Sequence, residues 1–365
     1  MNALVITLTL VNDFRDVDRH IATDTIARII SHYWWWLPIA FASCLLFLLC
    51  RAMLYSNAIN IFTGKKDFKT AVSTTLTGFF YEKVTPFGAG SQAFQIHHLR
   101  DKNLPNGAEV TVPMIEYISG RMAHLILSVV AITLNAIGLF DYPVEVQIGI
   151  YVIAIIGIAL NGAFPALLIL TIFSRRACAK ITKGVAGIAS CLRLTKDRNV
   201  FYETVMNKLD ANIECMKIAM ENSRIWLCLM FSIMSSLFYI SVGYFILKSF
   251  GFHTTHGWGW AEIVIINFLI INAVSLIPSP GGAGVADLSF YVVFSAVLFT
   301  STGVQSGAIA TLVWRGIGFY FPLLIAFIGI LFISRGKRKR KRQNATLHSE
   351  NLIQDEHVHN TSLDT

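Results

Sequence analysis

The chain has 365 residues, of which 54% are hydrophobic and only 14% charged. Soluble domains carry about 25% charged residues, so this chain cannot clothe a water-facing surface, and a soluble enzyme is excluded. Its net charge of +8 sits in short flanks between apolar runs, which assigns it to membrane topology and anionic lipid rather than to nucleic acid.

Residues 1–12 form a short apolar patch with no basic region before it, neither a signal peptide nor a full span. The first charge-free run, 34–50, predicts a helix over about 34–54. The loop expected at 56–70 carries Lys65, Lys66 and Lys69. A hydrophobic but interrupted stretch follows at 70–99, then helices over about 111–139 and 147–173. The segment 174–198 is basic, with Arg175, Arg176, Lys180, Lys183, Arg193, Lys196 and Arg198. Val205, Leu209, Ile213, Met216 and Met220 recur at helical spacing, so 199–222 predicts an amphipathic helix, lying on the inner leaflet or packed on the bundle's own loops. A helix over 225–248, a second interrupted stretch over 260–300 and a last helix over 307–333 complete the membrane part. From Arg335 the tail is basic and then polar, with the composition of a disordered segment.

Lys and Arg in short loops mark the cytoplasmic side. That places 56–70, 174–198 and the tail inside, and the linkers 140–146, 249–259 and 301–306, which hold no Lys or Arg, outside. Each interrupted stretch then begins and ends on one side, the first opening from the cytoplasm and the second from outside. Two full crossings would satisfy the same parity. The six cysteines form no CxxC pair and read as reduced thiols, and no metal site is expected.

The interrupted stretches resemble each other. Thr85-Pro86-Phe87-Gly88-Ala89-Gly90 and Ser279-Pro280-Gly281-Gly282-Ala283-Gly284 share Pro-x-Gly-Ala-Gly. Arg121 follows Pro86, and Arg315 follows Pro280, at the same interval. Pro removes a backbone donor and Gly loosens the helix, so Pro86, Gly88, Gly90, Pro280, Gly281, Gly282 and Gly284 are expected to break both segments. The expected fold is all-α: a polytopic transmembrane helical bundle with two inverted repeats and two broken or re-entrant helix pairs. The membrane domain would be 1–333, with repeat one at about 56–173, a cytoplasmic amphipathic segment at 174–223 and repeat two at about 224–333. Residues 334–365 would form the tail. Transporters built this way bind cargo near the midplane between discontinuous helices.

An arginine inside a membrane helix faces a cavity or a partner, and its guanidinium grips phosphate in a two-pronged contact. Arg121 and Arg315 are therefore candidate headgroup ligands, aided by free N–H groups after Gly90 and Gly284. The alternative is a pair of internal salt bridges, Arg121 with Glu116 or Glu82 and Arg315 with Asp287. Gln92 and Gln95 share a helix face, with His98 roughly beside them; His124, Asn267 and Asn272 are candidate polar lining or helix–helix hydrogen bonders. No nucleophile motif, nucleotide loop or dinucleotide fingerprint is present, so no catalytic residue and no cofactor is expected.

These motifs carry a family resemblance. Thr85 to Ile96 resembles the signature Thr-Pro-Phe-x-x-Gly-Gly-Gln-Pro-x-Gln, Ile277 to Gly284 resembles a second signature, and Leu312-Val313-Trp314-Arg315 with Tyr320 resembles a last-helix pattern. All three belong to the lysylphosphatidylglycerol synthase transmembrane, or flippase-like, family, which includes the membrane half of the bacterial multiple peptide resistance factor. Ser91 and Ala93 replace the family's Gly and Pro, Asp287 stands where Glu is usual, and the family's first helix looks truncated before residue 12.

The resemblance implies a bacterial cell-membrane protein, C-terminus cytoplasmic, that moves aminoacylated phosphatidylglycerol or a related phospholipid between leaflets, with resistance to cationic antimicrobial peptides as a consequence. Its expected substrate-binding residues are Arg121, Arg315, Glu82, Gln92, Gln95, Asp287 and Asn272. In full-length relatives a soluble domain makes the lipid from aminoacyl-tRNA, and that domain is expected to be missing here. The rival readings are a phosphatidylglycerol lysyltransferase or its membrane subunit, and a carrier of a small anionic solute. The partners weighed are a membrane phospholipid, anionic or aminoacylated, a soluble synthase and a second copy of the chain, with no nucleic acid bound directly.

Overall fold

A computed structural model describes residues 32–85, 88, 90–102, 104–138, 198–253, 259–274, 284–303 and 306–333, with scattered positions between 151 and 166. The described residues are helical with no strand. In chain order the helices are α1 (Trp36–Thr63), α2 (Phe68–Val84), α3 (Gly90–Arg100), α4 (Ala108–Ala136), α5 (Arg198–Glu221), α6 (Arg224–Ser249), α7 (Gly259–Val274), α8 (Val285–Thr302) and α9 (Gly307–Ile333). Five of them, α1, α4, α6, α8 and α9, are long and apolar enough to cross a membrane. The expected helix over 147–173, the basic segment 174–197 and the tail lie outside the continuously described residues.

α1 is longer than its charge-free run. It continues past residue 54 to Thr63 and stops at Gly64, whose φ of +68° lets its N–H return to the Asn60 carbonyl. The loop expected at 56–70 is therefore only 64–67. Residues 55–60 look like a polar exit in the sequence, but Ser56, Asn57 and Asn60 are buried against neighbouring helices. Asp67 then caps α2, its carboxylate accepting from the Thr70 N–H at 2.9 Å. Partial burial alone would raise the Asp67 carboxyl. The Thr70 hydrogen bonds, with Lys102 and Lys69 nearby, outweigh that and hold it below its ordinary value.

The bundle is built around α1 and α6, which run antiparallel. The Ser43 hydroxyl donates to the Phe238 carbonyl at 2.8 Å, Ser235 to Phe47 at 3.1 Å, and the Cys228 thiol meets the Leu54 carbonyl at 3.7 Å. Small hydroxyl and thiol side chains allow this close approach, as packing between lipid-facing helices requires. Trp36 stacks on Phe245, with the Lys248 ammonium 5.9 Å from the Trp36 ring, an aromatic–basic collar of the kind found at a membrane interface. Trp226 is 70% exposed, and Leu49, Leu324 and Phe332 are also exposed, as lipid-facing side chains would be.

Side-chain pairings fix the remaining directions. α4 runs with α6 and against α7: His124 meets Phe268 edge-on, and Ala131 packs with Ile265 and Leu269. α8 runs against α9, with Phe290 stacked on Trp314 at 3.7 Å and Ser295 beside Gly307. α9 runs with α1, through Phe41 and Phe321, and against α2, through Leu76 with Gly329 and Phe80 with Phe327.

α2 and α3 form an antiparallel hairpin. Ser73 pairs with His98, Gly78 with Gln95, Tyr81 stacks on Phe94, and Thr85 meets Gly90. At 1.5 Å per residue, the 17 residues of α2 span about 25 Å and the 11 of α3 about 16 Å. The hydrocarbon layer is about 30 Å thick, so α3 is too short to cross it. α7 runs with α1 and α8 runs against it, whereas α2 runs against α1 and α3 with it. The α2–α3 and α7–α8 pairs therefore open toward opposite ends of the bundle.

α5 docks on the start of α4. Asn212 accepts from the Thr111 hydroxyl at 2.6 Å, and the Cys215 thiol points at the Asn106 carbonyl. Gly107 is required there: at φ +92°, a Cβ would lie 2.9 Å from the Ala211 carbonyl oxygen. The described half of α5 packs on the turn before α4 and on the first residues of α4. Ile218 and Met220 remain exposed.

Candidate functional site

The tip of the α2–α3 hairpin is held by local bonds. The Thr85 hydroxyl donates to the Tyr81 carbonyl at 2.6 Å and accepts from the Gly90 N–H at 3.0 Å, so it ends one helix and caps the next. Gly88 takes a φ of +66°, and a Cβ there would touch Glu82 Cγ at 3.2 Å. Pro86, Phe87 and Ala89 lie outside the described residues.

Beside this tip is a partly buried ion cluster. Arg51 on α1 donates through Nη1 to Glu82 Oε2 at 2.8 Å and through Nη2 to Glu116 Oε1 on α4 at 2.9 Å. Lys83 Nζ closes on Glu82 Oε1 at 3.0 Å and lies over the Phe79 and Tyr239 rings. Two cations and two carboxylates leave the group neutral. That balance is what makes ionised side chains tolerable among membrane helices, since either partner alone would carry its full desolvation cost.

Glu82 was expected at the site, and Glu116 as a salt-bridge partner of Arg121. Both carboxylates are instead held by Arg51, which sequence reasoning passed over. Arg51 falls in the last turn of the helix expected over 34–54 and was given no role there. The signal available was the pair Gly64 and Asp67, a C-cap and an N-cap that extend α1 and put Arg51 in its interior. Lys83 was missed for the same reason, as a charge beside an expected break. Arg121 lies further along α4, its guanidinium 4.9 Å from the centre of the Tyr117 ring.

The second site residue pair does come together. The Arg315 guanidinium bonds the Asp287 carboxylate, whose other oxygen accepts the Gly284 N–H at 3.0 Å. Asp287 thus ties the start of α8, just after the second Pro-x-Gly-Ala-Gly motif, to α9. Arg315 is 7% exposed and lies against Trp314 and Phe319. It also opens a π-helical turn, Arg315–Tyr320, inside α9. Such turns insert a residue into the ladder and swing side chains to a new bearing, and they recur at functional sites. Gly284 has a φ of +85°, and Pro280, Gly281 and Gly282 lie outside the described residues.

The remaining candidates separate. Gln92 is half-buried, while Gln95 is fully buried against Gly78. His97 is exposed, and His98 is buried with Nε2 2.8 Å from Ser73 Oγ. Asn272 donates to the Phe268 carbonyl one turn back, and Asn267 donates across helices to Ile240. Among the described residues no group of His, Cys, Asp and Glu is placed to hold a metal ion.

A multi-pass helical bundle with one broken hairpin whose second helix is too short to cross, and with partly buried ion pairs beside it, is the architecture of an integral membrane protein built around a polar interior. The sequence matches the family described as "Lysylphosphatidylglycerol synthase TM region" over residues 3–326. The chain therefore belongs to the lysylphosphatidylglycerol synthase transmembrane family, and the match reaches further toward the N-terminus than the motifs alone do. No curated protein matches the chain at a significant level.

Proposed function

We propose that this protein translocates an anionic or aminoacylated phospholipid between the leaflets of a bacterial cell membrane, its tail on the cytoplasmic side. The observation that carries this reading is the pairing of a hairpin whose second helix is too short to cross with a partly buried cluster of both charge signs at its tip. A lipid headgroup with a phosphate and an ammonium needs cations and carboxylates together. Arg51 and Lys83 can exchange a carboxylate for phosphate, and Glu82 or Glu116 can receive the ammonium. Arg315 with Asp287 offers the same two signs beside the other hairpin. Hairpins opening toward opposite ends suit two inverted repeats that give each leaflet access in turn. Gln92 and Asn272 would line the route, and Arg121 would meet the headgroup on α4. Resistance to cationic peptides would follow from aminoacylated lipid in the outer leaflet.

The test is a leaflet-exchange assay on the purified chain in vesicles carrying fluorescent phosphatidylglycerol or its lysyl ester. Arg315→Ala and Arg121→Ala should each slow exchange at least tenfold. Unchanged exchange in both variants removes the site. The family's description as a synthase region favours a second reading, a membrane subunit of phosphatidylglycerol lysyltransferase. Under that reading, a host expressing only this chain accumulates lysylphosphatidylglycerol.

A further inference from the structure

The seam between α2 and α3 is polar along its length. From the open end to the tip it carries Ser73 with His98, then Thr77, Gln95 and Ser91, and then Thr85. Ser73, Thr74 and Thr77 return their hydroxyls to backbone carbonyls of their own helix. Gln95 and Ser91 differ. Gln95 is 0% exposed, and neither its Oε1 nor its Nε2 has a hydrogen-bond partner among the described residues. The Ser91 hydroxyl, one turn nearer the tip on the same face, is buried and without a partner in the same way.

A buried amide or hydroxyl left without a partner is costly, and buried water is the usual partner for such groups. Two of them on consecutive turns, facing another helix, mark a hydratable seam. His98, Gln95 and Ser91 are separated by about 4.5 and about 6 Å of helix rise, steps that a single bridging water covers. Beyond Ser91 the tip brings Gly90 against Thr85 and Gly88 against Glu82.

We propose that the α2–α3 seam conducts protons between His98 and Glu82. A proton on the His98 imidazole passes through water held by Gln95 and Ser91 and arrives on a Glu82 oxygen. At each step one N–H or O–H bond breaks and the next forms; nothing is oxidised. His98 is faced by Ser73, and the open end of the hairpin carries Asp67, Lys69, Arg100, Asp101 and Lys102. Glu82 is faced by Arg51 and Lys83, with Glu116 on the far side of Arg51 and Arg121 and His124 further along α4. Protonating Glu82 removes one negative charge from a neutral cluster. Arg51 and Lys83 are then released toward an anion, which is how proton entry would prime the cluster for a phosphate headgroup. Only that last link rests on the lipid reading; the proton path does not.

The test uses the full chain in phosphatidylglycerol–phosphatidylethanolamine vesicles loaded with a pH-sensitive dye. A pH gradient is imposed, with the membrane potential clamped by potassium and valinomycin. Wild-type vesicles should acidify at least tenfold faster than protein-free ones. Gln95→Leu should remove most of that rate, and Ser91→Ala should cut it several-fold. Ser91→Ala deletes one buried hydroxyl and decides the matter if Gln95→Leu fails to give a monodisperse protein. Wild-type acidification no faster than in empty vesicles, or equal rates in wild type and Ser91→Ala, overturns the proposal. Leaflet exchange of fluorescent phosphatidylglycerol is measured on the same wild-type vesicles. Gln95-dependent proton entry without lipid exchange would reject the lipid reading and leave the proton path standing.

Discussion

The Gln95 carboxamide occupies the place where residue 78 would carry a side chain: a Cβ added to Gly78 would lie 1.7 Å from Gln95 Nε2. The contact sits midway along the α2–α3 hairpin and sets how closely the two helices approach. Gly78→Ala should therefore force the hairpin open or push Gln95 out of its rotamer. Overpacking of this kind costs about 1–3 kcal/mol. A thermal melt in detergent should register the loss, and the double variant Gly78→Ala/Gln95→Ala, which clears the space, should recover most of it. A single variant as stable as wild type would mean that the helices do not meet here.

Arg51 holds two carboxylates from two helices. Arg51→Ala would leave Glu116 without its cation and Glu82 with Lys83 alone. Breaking a buried pair from one side costs about 3–5 kcal/mol; the low end applies here, because Glu82 keeps 30% exposure and a second partner. Arg51→Ala should melt well below wild type, and the double variant Arg51→Met/Glu116→Gln, which leaves Glu82 paired with Lys83 and the group neutral, should melt above the single variant. The reverse order would show that the cluster contributes nothing through charge balance.

Much of this arrangement was legible in the sequence. Apolar run lengths located α1, α4, α6 and α9, and Pro-x-Gly-Ala-Gly located the tip at Gly88. Matching arginine intervals pointed to Arg315, whose partner Asp287 was also foreseen. What escaped was three-dimensional. Arg51 lies midway along a 28-residue helix, and only the caps at Gly64 and Asp67, more than three turns further on, separate it from an arginine marking a helix end. The assignment of Glu82 and Glu116 to Arg51 rather than Arg121 depends on which helices are neighbours, and a single chain's pattern does not order helices around a bundle. Gln95 was singled out for its helix face, but its inward direction is decided by the glycine opposite.

Asp67 gives the hairpin a dependence on pH. Its folded carboxyl is held below the unfolded value, so the stability it contributes is present above about pH 4 and is lost as the pH falls through its folded value. At neutral pH, Asp67→Ala should cost about 1 kcal/mol, the usual effect of removing a helix cap. The gap between wild type and Asp67→Ala in a melting series should close as the pH is lowered toward 2. Asp67→Asn, which keeps a capping oxygen without the charge, should show a smaller gap at pH 7 and little change with pH. A gap that widens on acidification would reverse the sign of this argument.

Asp287 serves two donors at once, the Gly284 backbone N–H and the Arg315 guanidinium. Asp287→Asn can still accept from Gly284 but loses the ion pair with Arg315 and the negative charge at the start of α8; Arg315→Met leaves the carboxylate with its backbone donor. The two should not be equivalent. A carboxylate at a helix N-terminus is favoured by the helix dipole and free N–H groups, so Arg315→Met keeps one of the two interactions the Asp287 charge makes, whereas Asp287→Asn loses both. Asp287→Asn should thus lower the melting temperature more than Arg315→Met, by a margin of about 0.3–1 kcal/mol. Asp287→Asn/Arg315→Met should fall between wild type and Asp287→Asn. Melting curves of the three variants in one detergent give the order directly. If Arg315→Met proves the more damaging, the guanidinium is stabilising α9 through contacts beyond its bond to Asp287, and the π-helical turn it opens is the place to look for them.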